Sequence, residues 1–178
     1  LINKIIGFNP HITVKPYESK YINPDKLNSP ELNSVSKNLI SSNTSEAIVI
    51  NSNNSKGIIL RGYKSNDFSK LSIINNKNFL GNKKNLINNN ISIGKELSFI
   101  LDVKIGDNIS LMSSSGIDTI IGSLPKQKVF KVVSLFESGL VDFDSNIVFM
   151  NLDILEEFSN LKNSDRNLEI YLKNPQNI

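Results

Sequence analysis

The sequence contains no cysteine, no tryptophan and one histidine, His11. Without cysteine there is no disulfide framework, no thiolate zinc site and no thiol nucleophile. A His-based metal site or a Ser-His-Asp triad has a single candidate, placed between Pro10 and a strand-like run. A hydrogen-bonded or solvent-facing His11 is the better reading, because no second histidine or cysteine exists to complete a site. Glycine is sparse, at nine residues, and scattered. Neither G-x-G-x-x-G nor G-x-x-x-x-G-K-[ST] occurs, which removes the common phosphate-cradling loops. No apolar run approaches the ~18–20 residues that cross a bilayer, and no signal-peptide pattern is present. The net charge of +3 is small, and the lysines are dispersed without interleaved aromatics. That distribution argues against a nucleic-acid-binding face.

The carboxylates offer little more. Asp142-Phe143-Asp144 would put two acids on one strand face, as a calcium or glycosidase site could use. No Asp-x-Asp-x-Asp-Gly pattern follows, so a solvated turn is expected there. Asp153, Glu156 and Glu157 read the same way. Nothing calls for a metal, a cofactor or catalysis. Asparagine, at 27 residues, is the abundant type; with Ile and Lys it reads as coding bias toward AT-rich codons. A chain of 178 residues suits one domain, or two small lobes sharing a core. It begins at Leu1 rather than Met, as a piece of a longer membrane protein would.

Residues 12–14 alternate as a half-buried strand between Pro10 and Pro16. Ser29-Pro30-Glu31 looks like a helix start, with a hydroxyl cap, Pro at the first position and an acid in the first turn. Leu32, Val35, Leu39 and Ile40 then predict a helix reaching Ser42-Asn43. Two β-rich runs, 47–50 and 57–63, flank a turn-rich stretch and predict a hairpin. Strand, helix, strand, strand opens a split βαβ layer. Residues 64–90 should form short helical turns. Residues 94–101 predict a helix with Leu97, Ile100 and Leu101 inward. Strands are expected at 107–112, 126–136, 147–150 and 168–172, and a helix capped by Asn151 at 151–161. The fold class is α+β.

Between the strands expected at 107–112 and 126–136 lies Ser113 to Pro125, too long for an idle loop in a compact domain. Ile117, Thr119 and Ile121 alternate as in a strand, and Gly122 supplies a bend. A hairpin arm results. Its isoleucines could fold back under cover, or stand exposed against a partner.

Several stretches together resemble the LolC/LolE family, the membrane subunits of the bacterial lipoprotein-releasing ABC transporter. They are Ile93-Gly94-Lys95-Glu96-Leu97, Leu101-Asp102-Val103, Gly106-Asp107, Pro125-Lys126-Gln127-Lys128-Val129-Phe130, and Phe136 with Ser138-Gly139 and Asp144. His11-Ile12 after Gly7, and Gly57-Ile58 through Gly62-Tyr63, fit as well. The resemblance implies a two-lobed, MacB-like periplasmic domain. Its Porter-like subdomain would comprise 1–89 and 151–178. A β-rich Sabre-like subdomain would be inserted at 90–150, with a Hook-like hairpin at 113–125. The whole protein would lie in the bacterial inner membrane, with this segment in the periplasm.

The resemblance also implies partners: the carrier LolA, a LolD-type ATPase, a second LolC/LolE-type subunit and lipoprotein substrates. The hairpin would capture LolA through Ile117, Thr119, Ile120, Ile121, Gly122, Leu124 and Pro125. The Pro-Met pair at the family's hairpin tip falls on Ile120 and Ile121. A polar surface at the hairpin's base, the Pad, would use Gln127 and Lys128. One Pad arginine of the family is Ser110 here, and Lys128 lacks the bidentate geometry of the family's arginine. The length of the arm fits a LolC-like or LolF-like subunit. Burying two Ile side chains is worth roughly 3–6 kcal/mol before entropic costs. The alternative is a MacB-like or FtsX-like domain that transmits ATP-driven motion and binds no LolA.

Overall fold

A computed structural model describes residues 8–18, 22–27, 29–52, 54–120 and 122–176. The strands are β1 (Ile12–Val14), β2 (Ser36–Asn51), β3 (Asn54–Tyr63), β4 (Leu80–Gly81), β5 (Asn90–Gly94), β6 (Asn108–Thr119), β7 (Gly122–Phe136), β8 (Ile147–Asn151) and β9 (Asn167–Leu172). The helices are α1 (Pro30–Val35), α2 (Ser65–Phe68), α3 (Lys95–Leu101), α4 (Val141–Asn146) and α5 (Leu152–Ser159). Helix and strand are mixed, as the α+β reading anticipates.

All of these strands pair into one sheet, ordered β1-β9-β2-β3-β8-β5-β7-β4, with β6 joined to both β7 and β2. The second bond of β6 closes a ring: β2, β3, β8, β5, β7, β6 and back to β2. A closed ring leaves no edge among its members. β2 and β3, from 1–89, and β5, β6, β7 and β8, which follow residue 89, therefore close one continuous structure.

The ring is filled by the inward residues of each strand: Val49, Leu60, Ile91, Leu111, Phe130 and Val148 are buried together. Leu97 and Leu101 of α3, with Leu155 and Phe158 of α5, close its ends. A second cluster lies outside the ring. There Phe68, Leu71, Ile74 and Leu86, from the short turns after β3, cover Tyr63, Phe136 and Phe149. Short helical turns do occur here, at Ser65–Phe68 and Ser72–Asn75, as the sequence predicts; the two-residue β4 joins them, and the segment roofs this core.

Some expectations need correction. α1 starts at Pro30 with the Ser29 hydroxyl accepting the Leu32 N–H, but ends at Val35 and buries none of its residues. With no residue buried, the helix yields to β2, where Ile40 is fully buried in the second core. β1 is not half-buried: Ile12 and Val14 are exposed on a strand that, among the described residues, pairs with β9 alone. Ile100 points outward from α3, unlike Leu97 and Leu101. Asp144 is not in a solvated turn. It is buried, and its carboxylate accepts the N–H groups of Ser138 and Gly139 at 2.9 and 3.1 Å. His11 is hydrogen-bonded, its Nδ1 accepting the Leu172 N–H at 2.9 Å. Among the described residues no helix is long and apolar enough to cross a membrane.

A buried polar cluster ties β9 to β2 and β3. Glu169 receives hydrogen bonds from Ser42, Arg61, Tyr63 and Tyr171. Burial pushes the Tyr63 and Tyr171 hydroxyls well above the ordinary tyrosine range, with the Glu169 charge adding to it. Both therefore hold their protons in the fold when an unfolded tyrosine, near pH 10, would release its own. The folded state then binds more protons, so stability falls as pH rises past 10. Each such tyrosine contributes a slope that approaches about −1.4 kcal/mol per pH unit once its unfolded counterpart is fully ionised. Tyr171→Phe should make the decline shallower by about 1 kcal/mol between pH 10 and 11. Urea unfolding at a series of alkaline pH values reads it, and equal slopes for the two proteins would contradict the assignment.

A candidate partner-docking arm

β6 and β7 run together beyond the ring as a hairpin. Their ladder is regular from Asn108–Lys131 to Met112–Gln127, and again from Gly116–Pro125 to Thr119–Gly122. Between these stretches residues 113–115 of β6 face Lys126 alone, a bulge of two extra residues. The bulge falls where β6 leaves β2, whose last pair there is Ala47–Ser113. A bulge bends the strand and ends its pairing on one side. Here it is pinned: Ser113 Oγ accepts the Ser115 N–H at 3.1 Å, and Ser114 Oγ donates to the Glu46 carbonyl at 3.2 Å.

Beyond the bulge the arm has four residue pairs, and Ile120 follows the last of them on β6. Two-residue hairpin tips favour Asn, Asp and Gly, because their central residues need positive φ. Isoleucine is a poor choice for such a turn. Gly122, at φ 121°, supplies the adjoining left-handed backbone. A Cβ there would meet no neighbour, so backbone conformation and not space calls for glycine.

The expected docking residues fall as follows. Ile120 is fully exposed at the tip, and Leu124 is 52% exposed. Pro125 is exposed and pairs with Gly116 at the arm's root. Ile117 and Thr119 pair by backbone with Leu124 and Gly122. Ile121 lies outside the described residues. Gln127 and Lys128, expected as one polar pad, lie on opposite faces of β7. Gln127 Nε2 donates to Ser110 Oγ at 2.8 Å on the outer face. Lys128 Nζ turns toward α5, 3.8 Å from Glu157 Oε1 and 6.0 Å above the Phe130 ring. Successive strand residues must part in this way.

Sequence reading missed two neighbouring features. One is a groove of about 440 Å³ on the outer face of β2, β3 and β6, lined by Ile48, Ile59 and Met112. Its Met112 stands opposite Gln127 in register, so groove and arm are contiguous. The alternation of outward Glu46, Ile48 and Ile50 is the only local signal for it. The other is the contact between the arm's root and α5, made by Lys126 and Asn160. Among the described residues no group of His, Asp or Glu could hold a metal ion.

No family model matches the chain. Its fold is that of the extracytoplasmic domains of ABC-type transporters. The extracellular domain of the noncanonic ABC-type transporter YknZ from Gram-positive bacteria superposes with a TM-score of 0.53. That match has 12% identity and covers 91% of this chain and 84% of the other. The periplasmic region of MacB from Actinobacillus actinomycetemcomitans gives 0.51 at 10% identity, over 94% and 77% of the two chains.

In sequence the chain is similar to LolC, the lipoprotein-releasing system transmembrane protein. It is 31% identical over 101 residues to that of Xylella fastidiosa (strain Temecula1), covering 56% of this chain and 24% of the relative. To LolC of Neisseria meningitidis serogroup B it is 24% identical over 136 residues, covering 75% and 33%. The chain is thus similar in sequence to LolC and in fold to the YknZ and MacB domains, the likeness that the resemblance implied. It spans about a quarter to a third of the length of the curated relatives it matches.

Proposed function

We propose that this chain is the periplasmic domain of a lipoprotein-releasing transporter's membrane subunit, and that its arm docks the carrier LolA. The observation that carries the reading is Ile120: fully exposed, at the end of an arm that leaves the closed ring at a pinned bulge. An exposed isoleucine gains nothing for the fold and is a poor turn former, so its use lies in a partner's apolar groove. Similarity to LolC supplies the partner. Leu124 and Pro125 extend the apolar contact along the arm. Gln127, from the outer face, contacts the carrier's rim. In the whole protein a LolD-type ATPase hydrolyses ATP and a second LolC/LolE-type subunit completes the membrane part. The transporter then extracts lipoproteins from the inner membrane, and this domain hands them to LolA without doing chemistry. The inserted Sabre-like subdomain is residues 90–150, which carry the arm.

Titrating LolA with the chain and with Ile120→Asp tests the reading. Burial of one Ile side chain is worth about 1.5–3 kcal/mol. The variant should bind about 10- to 100-fold more weakly. Unchanged affinity would remove the tip from the interface. The parting of Gln127 and Lys128 favours a second reading, a motion-transmitting domain without a carrier. It predicts no LolA binding by either protein.

A further inference from the structure

We infer that Asn160 and Lys126 are positioning residues that fix the direction of the arm, an inference that rests on the docking reading for its purpose but not for its geometry. The arm's direction is decided at the bulge, where residues 113–115 lack ladder partners on β7 and β6 has left β2. Four residue pairs alone would leave the distal hairpin free to swing about that point. Among the described residues one side chain bonds to both strands across the gap. Asn160 Nδ2 donates to the Gly116 carbonyl on β6 at 3.1 Å, while its Oδ1 accepts from Lys126 Nζ on β7 at 2.7 Å. Lys126 Nζ also donates to the Glu157 carbonyl at 2.8 Å. That carbonyl belongs to the last turn of α5, where the helix dipole favours a cation.

The platform beneath is rigid. Asn160 caps α5 in a left-handed conformation, φ 55°, with its N–H donating to the Glu156 carbonyl. Glu156 takes two hydrogen bonds from Arg166, both 2.7 Å, and one from Asn43 of β2 at 3.0 Å. Arg166 immediately precedes β9. The arm is therefore coupled through one asparagine to the helix and, through the Arg166 pair, to the start of the last strand. The latch bonds are solvent-exposed, so each is worth little to global stability. Their effect is on pose.

The absence of cysteine allows two spin labels to be placed at will. Ile120→Cys marks the tip, and Ile100→Cys marks the exposed face of α3. Pulsed electron–electron double resonance should give one narrow distance distribution. Asn160→Ala with Lys126→Ala should broaden it at least twofold, with the thermal midpoint shifted by less than about 3 °C. Lys126→Arg should restore the narrow distribution. An unchanged distribution in the double alanine variant overturns the inference. If it broadens while the unsubstituted chain binds no LolA, the latch stands and the carrier reading falls. If the chain binds LolA, the double variant should bind 3- to 10-fold more weakly, and equal affinity would contradict a positioning role.

Discussion

Replacing Glu169 with alanine should destabilise the chain by about 3–5 kcal/mol, the largest loss expected from any single polar substitution here. Glu169 is 4% exposed and sits at the crossing of β9, β2 and β3. Its Oε1 accepts from Ser42 Oγ at 2.7 Å, and from Arg61 and the Tyr63 hydroxyl at 3.0 Å. Its Oε2 accepts from the Tyr63 and Tyr171 hydroxyls at 2.9 and 2.8 Å. Removing the carboxylate strands a guanidinium whose side chain is 12% exposed, together with three hydroxyls. Burial alone would discourage the charge on Arg61; Glu169 and the neighbouring tyrosines outweigh burial and hold it more firmly protonated than usual. The arginine cannot escape by neutralising, so the cost falls on the fold. The rings of Tyr63 and Phe149, 5.6 and 5.9 Å from the guanidinium, soften that cost without removing it. Urea unfolding measures it. Glu169→Leu with Arg61→Met should recover part of the loss, because well-packed apolar pairs often replace buried ion pairs at no cost. A loss below about 1 kcal/mol in Glu169→Ala would show the network to be unimportant.

The same cluster explains where sequence reading stopped. Ser29 and Asn151 caps, the β2–β3 hairpin and the Leu152-Leu155-Phe158 face were legible, because each is written within a few residues. The first half of β2 was not. Ser42 and Asn43 read as the end of a helix in sequence, yet both are buried within a sixteen-residue strand. Their partners, Glu169 and Glu156, lie 127 and 113 residues away. No local pattern carries such a pairing. Ring closure has the same character, since nothing near Ala47–Ile50 announces Ser110–Ser113 as its neighbour. The arm itself was legible from alternation and from misplaced isoleucines. Period-2 alternation also separates Gln127 from Lys128, which analogy to a family had grouped. The latch needed coordinates, because Asn160 is one of 27 asparagines.

Gly94→Ala should destabilise the chain by about 3 kcal/mol, at the upper end of what one extra methyl does in a packed interior. Backbone conformation is not the reason. Gly94 has φ −68° and ψ 149°, open to any residue. The reason is space: a Cβ there would lie 1.9 Å from the Asp144 carbonyl oxygen and 2.5 Å from its carbon. That backbone cannot retreat cheaply, since the buried Asp144 carboxylate holds the Ser138-Gly139 turn by its N–H groups. Gly94 ends β5 inside the ring and opens α3, so the clash drives α3 from α4 and pulls Leu97 and Leu101 from the core. Gly57→Ala is the control. Its Cβ would meet nothing within 4 Å and its φ is ordinary, so alanine there should be neutral or stabilising by up to about 1 kcal/mol. Thermal unfolding of the two variants separates the causes. A mild Gly94→Ala would mean that the β5–α3 junction can shift as a unit, and that the tight approach of α4 is not what fixes this end of the ring.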